Sequence, residues 1–125
     1  LMRYDIVNRR QMPDLARIDG DDLFDRRWFI ALAYAKDGRL LVTRGDFVEV
    51  YAEDGRVLNT ISLKESGYGF AQVAVCADQV HALAANIFTG IACKFEIATG
   101  RVVGQVQTDH VSPRRSLAGI AEFPG

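Results

Sequence analysis

The sequence predicts an all-β fold of repeated four-stranded antiparallel sheets, and three observations carry that expectation. First, an element recurs about every 45 residues. Phe95 to Val102 (FEIATGRV) follows the pattern of Val48 to Val57 (VEVYAEDGRV), with apolar alternation, a polar turn containing glycine, then Arg-Val; Gly55 and Gly100 stand 45 residues apart. Tyr4 to Arg10 matches Phe95 to Arg101 at an offset of 91, with Arg9 in place of the turn glycine. Second, strand-sized apolar runs alternate with turn residues along the chain. Third, no segment longer than three turns keeps a convincing helical period; Leu15, Ile18 and Asp22-Leu23 approach that spacing within Asp14 to Phe24, but Gly20 interrupts it.

Taken in order, residues 1–25 hold the last two strands of one unit. Residues 26–69 make a complete unit, with strands expected over Phe29 to Ala35, Leu40 to Thr43, Phe47 to Ala52 and Val57 to Leu63. The turns Lys36-Asp37-Gly38-Arg39 and Glu53-Asp54-Gly55-Arg56 carry Asp-Gly, where glycine accepts a positive φ without a Cβ clash; read as two-residue turns, they imply antiparallel pairing. Residues 70–113 make a second unit, with strands over Phe70 to Cys76, Gln79 to Ala84, Ile91 to Ile97 and Val102 to Thr108, and residues 114–125 begin a further one. The first strand of each unit is rich in small residues (Ala31, Ala33, Ala35; Ala71, Ala74, Ala77; Ala118, Gly119, Ala121), which suits innermost strands converging on a narrow axis. Outer strands carry Asn59, Ser62, Gln105 and Gln107, as edges facing water should.

Four-stranded antiparallel sheets repeated at this period are the blades of a β-propeller, which bury both faces against neighbouring blades. The stretch Phe95 to Val103 resembles the "aromatic, acid, apolar, x, Thr-Gly, basic, apolar" run of propellers in the YVTN, quinoprotein-like and NHL-like superfamilies, and Lys36 to Val42 is similar to their first hairpin. That resemblance implies architecture, since its motifs are turn chemistry. The Trp-Asp and Gly-His marks of WD repeats are absent, which disfavours that branch. At one blade per 45 residues the chain amounts to about 2.8 blades, against the four to eight of closed rings. Three expectations follow: a piece of a longer polypeptide, a ring completed by association of copies, or an unrelated sandwich or barrel.

Fifteen basic and sixteen acidic residues leave a formal charge of −1, with no general attraction to nucleic acid or anionic lipid. The longest apolar runs fall far short of the roughly 20 residues that span a bilayer, so no membrane partner is expected. The N-terminus lacks the features of a secretory signal, and with two cysteines expected to be unpaired this leans toward the cytoplasm, while a mature secreted fragment would look the same. Cys76 and Cys93 lack CxxC spacing, and the strand assignment sets them on the first and third strands of one blade, too far apart to bridge.

Functional candidates are sparse. Arginine pairs Arg26-Arg27 and Arg114-Arg115 precede equivalent first strands and, converging, suit a carboxylate or phosphate through bidentate hydrogen bonds. Arg44, Tyr68 and Asn86 are expected on the same face, and His110 lies in a loop that opens there. The bland alternative has the arginines capping blade edges or pairing with Asp46, Glu65 and Asp109. His81 reads as a structural histidine, and the acidic run Asp19, Asp21, Asp22 and Asp25 misses calcium-loop spacing and reads as a solvated loop. No catalytic signature is present, Glu49, Glu53, Glu96 and Glu122 do not stand out as acids or bases, and neither cofactor nor metal is expected. The leading expectation is a non-enzymatic scaffold that binds a protein, further copies of itself or a small anionic ligand. The rival is a metal-dependent hydrolase or lyase of the gluconolactonase-like or streptogramin-lyase-like propeller type, with Asp37, Asp46, Asn86 and His110 as possible parts. A third reading is a structural module whose open blade face docks another chain.

Overall fold

The structure is a computed structural model, and it describes residues 1–15, 30–108 and 120–122. Expectations for Arg26, Arg27, His110, Arg114 and Arg115, for the acidic run Asp19 to Asp25 and for a helix from residue 16 onward lie outside the described residues. The described chain forms a short hairpin and two four-stranded antiparallel meanders. The hairpin is β1 (Arg3–Asp5) with β2 (Arg10–Met12). The first blade is β3 (Ala31–Tyr34), β4 (Leu40–Thr43), β5 (Phe47–Tyr51) and β6 (Val57–Ser62). A 3-10 turn, Lys64–Ser66, leads to the second blade: β7 (Phe70–Val75), β8 (His81–Asn86), β9 (Ile91–Glu96) and β10 (Val102–Gln107).

Turn chemistry sets these boundaries, with two departures from the sequence reading. The Asp-Gly connections are three-residue loops rather than two-residue turns. The Ala35 N–H donates to Arg39 O and Gly38 N–H returns to Ala35 O; Ala52, Arg56 and Gly55 repeat the arrangement. Only the glycine is left-handed (φ 92° at Gly38, 89° at Gly55), as in a type I turn followed by a glycine bulge. Asp37 and Asp54 stabilise these loops by accepting from the N–H two residues on, at 3.1 and 3.0 Å. The second departure is β8, which begins at His81, two residues later than expected. The preceding loop has no glycine: Gln79 takes the left-handed position itself (φ 60°), and Asp78 accepts from the Val80 and His81 N–H groups, both at 2.9 Å. Arg9 does the same at φ 52°, in the place Gly100 holds at φ 76°.

In the second blade the β7–β8 and β9–β10 loops are each one residue longer than their first-blade counterparts. Cys76 N–H closes on His81 O and Glu96 N–H on Arg101 O, each spanning four residues where the first blade spans three. Equivalence of the central strands therefore runs at offsets of 42 (β4 to β8) and 44 (β5 to β9) rather than 45, which moves the side chains matched at 45 on those strands to the other face of the sheet, while β6 to β10 keeps the offset of 45. The registers agree: the pairs Leu40↔Tyr51 and Val42↔Glu49 correspond to Ala82↔Phe95 and Ala84↔Cys93.

The main core is consequently a joint between unlike faces. Leu41, Val48, Val50 and Ile61 of the first blade are buried with Ala82, Ala84, Cys93 and Phe95 of the second. Each second-blade residue corresponds to a first-blade residue on the opposite face, the face that buries Leu40, Val42 and Tyr51 with Leu1 and Leu15 packed against them. Unlike faces meeting means successive sheets related by rotation, as around a propeller axis, and not two sheets facing each other across a sandwich. Polar side chains of the outer strands tie the joint rather than only facing water: Asn59 Nδ2 donates to the Ile97 and Ala98 carbonyls at 3.1 and 3.2 Å, and Gln105 bonds Ser66 Oγ at 2.9 Å. Cys76 and Cys93 are buried free thiols. Burial pushes the Cys76 thiol up to about 11, aided by the Glu122 carboxylate.

Candidate functional site

One end of the two blades gathers the β4–β5 turn, the β6–β7 connection and the β8–β9 turn. Gly45 O accepts from the Gly69 and Phe70 N–H groups at 3.0 and 2.8 Å, which joins the first turn to the connection. Asn86 joins the connection to the third turn. Its Nδ2 donates to the carbonyls of Tyr68 (3.1 Å), Gly67 (3.3 Å) and Ser66 (3.4 Å), and its Oδ1 accepts from the Phe88 and Thr89 N–H groups at 2.9 and 3.0 Å. Asn86 is fully buried, so both ends of its amide are engaged within the fold. Of the sequence candidates, Arg44, Tyr68 and Asn86 thus sit on loops fastened to one another.

On this rigid base Tyr68 and Phe88 remain 36% and 48% exposed. The Phe88 ring lies against the backbone next to Tyr68, since a Cβ built on Gly69 would stand 2.4 Å from Phe88 Cδ2. Sequence reasoning missed Phe88. Its signal was an aromatic residue inside the turn that follows the alanine-rich β8, where nothing in the strand pattern needs one.

Arg44 enters a network that sequence reasoning also missed. Its guanidinium bonds Glu49, Glu49 accepts a second hydrogen bond from the Tyr51 hydroxyl, and the Arg44 guanidinium carbon stands 5.5 Å from the Phe47 ring centroid. The Arg44 and Glu49 side chains are only 11% and 12% exposed. Burial, reinforced by the Glu49 hydrogen bond and charge, pushes the Tyr51 phenol up to about 12. Among the described residues the ion pair of Arg44 is therefore with Glu49 rather than Asp46. Since Glu49 pairs with Val42 across β4 and β5, the network lies on the first-blade face turned away from the second blade. Arg44 corresponds in the repeat to Asn86, so equivalent positions carry a loop-binding amide in one blade and an ion pair in the other.

The three described residues of the hydrolase reading, Asp37, Asp46 and Asn86, do not converge. Asp37 lies in the β3–β4 loop at the opposite end of the sheet, held by Arg39 Nε at 2.8 Å and with its carboxyl lowered by that partner, whereas Asp46 and Asn86 are at the loop end just described and His110 is outside the described residues. Among the described residues no group of three or more His, Cys, Asp or Glu side chains is placed to hold a metal. His81 Nδ1 meets Asp78 Oδ2 at 2.7 Å within its turn, and the hydrogen bond from the His81 backbone N–H, followed by this side-chain pairing, lowers the Asp78 carboxyl.

The sequence matches no protein-family model and no curated protein. Among solved structures the chain is similar to U3-55K (TM-score 0.62, 12% identity, covering 94% of this chain and 35% of that one). It is also similar to the RRP9 WD40 repeats (0.57, 13%, 74% and 29%) and to hydrazine synthase of Kuenenia stuttgartiensis (0.58, 14%, 72% and 26%). These likenesses show a β-propeller fold, of which the chain spans about a quarter to a third of each structure's length. They extend to the architecture and do not select the YVTN, quinoprotein-like or NHL-like branch, nor, at such identity, the WD branch.

Proposed function

We propose that the chain is a non-enzymatic binding scaffold whose loop end, centred on Tyr68 and Phe88, receives a partner protein. The observation that carries this is the Asn86 clamp: five hydrogen bonds fix the backbone beneath two partly exposed aromatic rings. Aromatic side chains on a rigid base lose little conformational entropy on binding and are enriched among the residues that dominate interface energies. Arg26, Arg27, Arg114, Arg115 and His110 are proposed to add recognition of an anionic group on that partner, or of a free anion, because Arg44 is already neutralised by Glu49.

A photo-crosslinking residue at position 88 tests the reading in living cells. A protein adduct from position 88 that is absent from position 58 on the outer strand β6 supports it, and equal labelling from both sites removes it. Thermal shift with inorganic phosphate and simple carboxylates tests the anionic component. Stabilisation by a divalent metal together with hydrolysis of a lactone panel would replace the scaffold reading with the hydrolase one.

A further inference from the structure

The outer strand of the second blade is an open edge with a cavity beside it. Among the described residues β10 pairs with β9 alone, and each of its six residues is exposed. It holds neither a charge nor a proline, the common guards against pairing at an edge, and its one bulge, at Val103, is confined to its start. The register identifies the backbone groups left free. Thr108 N–H donates to Gly90 O at 2.9 Å, and from there the pairs run Gln107↔Ile91, Val106↔Ala92, Gln105↔Cys93 and Gly104↔Lys94. Hydrogen-bonded and non-bonded pairs alternate in an antiparallel ladder, so Val106 and Gly104 bond to β9 while Gln105 and Gln107 turn N–H and C=O outward.

This openness does not come from the want of a further blade. The outer strand β6, whose Ile61 the second blade buries, is open in the same way, with Thr60 and Ser62 exposed. What sets β10 apart is a cavity of about 260 Å³ between the two blades, lined by residues 62–66 of the first and by Val102 and Gln105 of the second. It is smaller than the roughly 300 to 1,000 Å³ of small-molecule sites and suits a single side chain. Lys64 and Glu65, both exposed on its wall, offset each other in charge, which favours an uncharged occupant. Gln105 belongs to both the edge and the cavity. Its Oε1 accepts from Ser66 Oγ at 2.9 Å, and among the described residues its Nε2 donates to nothing.

We propose that an extended, uncharged segment of a partner protein adds to β10 as a fifth strand, exchanging backbone hydrogen bonds with Gln105 and Gln107. Paired antiparallel, as every strand of the blade is, the residue opposite Gln105 sets its side chain on the face that Gln105 shares with Cys93, where the cavity lies. An aliphatic residue at that position fills it. A second copy of β10 does not, because it brings Gln105 or Gln107 to that position, and both side chains are already bonded within their own copy, to Ser66 Oγ and to Thr89 O. This surface is separate from Tyr68 and Phe88 and is independent of what the loop end receives.

The test uses the full chain, nitrogen-labelled, and capped heptapeptides of sequence Thr-Val-Thr-X-Thr-Val-Thr with Leu or Ala at X. Amide shifts on titration are expected to be largest around Gln105 and Gln107, with the Leu peptide binding at least about tenfold more tightly than the Ala peptide. Methylating the peptide nitrogen at X removes a donor to the edge without altering the protein, and abolishes binding. Gln105→Pro, whose missing N–H is one that faces outward, abolishes it as well, whereas Thr60→Pro, the same change on β6, leaves it as it was. Ser62→Trp, filling the cavity from an exposed position, erases the preference for Leu over Ala. Failure of the Leu peptide to bind, binding that survives methylation at X, or equal affinity for the two peptides overturns the proposal. A two-chain mass in light scattering that Gln105→Pro abolishes assigns the edge to pairing between copies and overturns it too. The methylated peptide keeps the test decisive if Gln105→Pro does not fold.

Discussion

Replacing Asn86 by alanine removes the clamp that fixes the candidate binding surface, and its cost can be worked from the contacts. The substitution leaves the Phe88 and Thr89 N–H groups, now held at 2.9 and 3.0 Å, without their acceptor, and frees the Tyr68 carbonyl held at 3.1 Å. The contacts to Gly67 and Ser66, at 3.3 and 3.4 Å, are long and add little. Three effective bonds at about 1 kcal/mol each, in a site with no exposure through which water could substitute, give a loss of roughly 3 kcal/mol. Asn86→Asp keeps the acceptor but sets a buried negative charge against carbonyl oxygens, so it is expected to cost at least as much. Urea unfolding of each variant measures this as a fall in midpoint at nearly constant slope. A loss below about 1 kcal/mol for Asn86→Ala would refute the claim that this side chain holds the three loops together.

Other consequences are equally specific. Gly69, at φ 123° with Phe88 and Asn86 atoms 2.4 and 2.7 Å from a built Cβ, cannot accept alanine without displacing the clamp, whereas Gly104, with nothing within 4 Å, can; urea midpoints should fall for Gly69→Ala and hold or rise for Gly104→Ala. Arg44→Ala leaves Glu49 buried without its cation and should destabilise by about 3 kcal/mol, with a double-mutant cycle against Glu49→Ala recovering part of that loss as coupling. Tyr51 keeps its proton to about 12 when folded, above its ordinary value near 10. Its contribution to stability is therefore complete below pH 10 and lost as pH rises toward 12, and Tyr51→Phe should remove that alkaline fall in stability and the latest-ionising phenol in a spectroscopic titration.

Most of the architecture was legible in the sequence because turn chemistry punctuates it. Asp37-Gly38, Asp54-Gly55 and Thr99-Gly100 each mark a loop, and of the eight strands given bounds in the two complete units, all but β8 keep at least one end where alternation and those loops put it. The start of β8 was misplaced because Gln79 occupies a left-handed position that glycine usually marks, with the Asp78 side chain supplying the order instead. The faces were harder still. Aligning Gly55 with Gly100 gives an offset of 45, yet the one-residue difference in loop length makes Glu49 the counterpart of Cys93 and not of Lys94, and only the hydrogen-bond register shows it. At the candidate site, Arg44, Tyr68 and Asn86 could be set at one end from strand direction alone. Their roles could not, because the Glu49 that neutralises Arg44 sits five residues away in an ordinary alternating strand, and the carbonyls that occupy Asn86 carry no sequence signature.

The front-to-back joint between the two blades is the premise of the fold and of the loop end. A methyl-labelled nuclear Overhauser measurement on Ile61 tests it most directly. The account predicts a strong effect between the Ile61 Cγ2 methyl and the backbone of Gly100, since a Cβ at Gly100 would stand 3.5 Å from Ile61 Cγ2. Contacts from Ile61 to Ala92 or Lys94 in place of Gly100 would mean that the second blade presents its other face, and the rotational relation between the blades would be wrong.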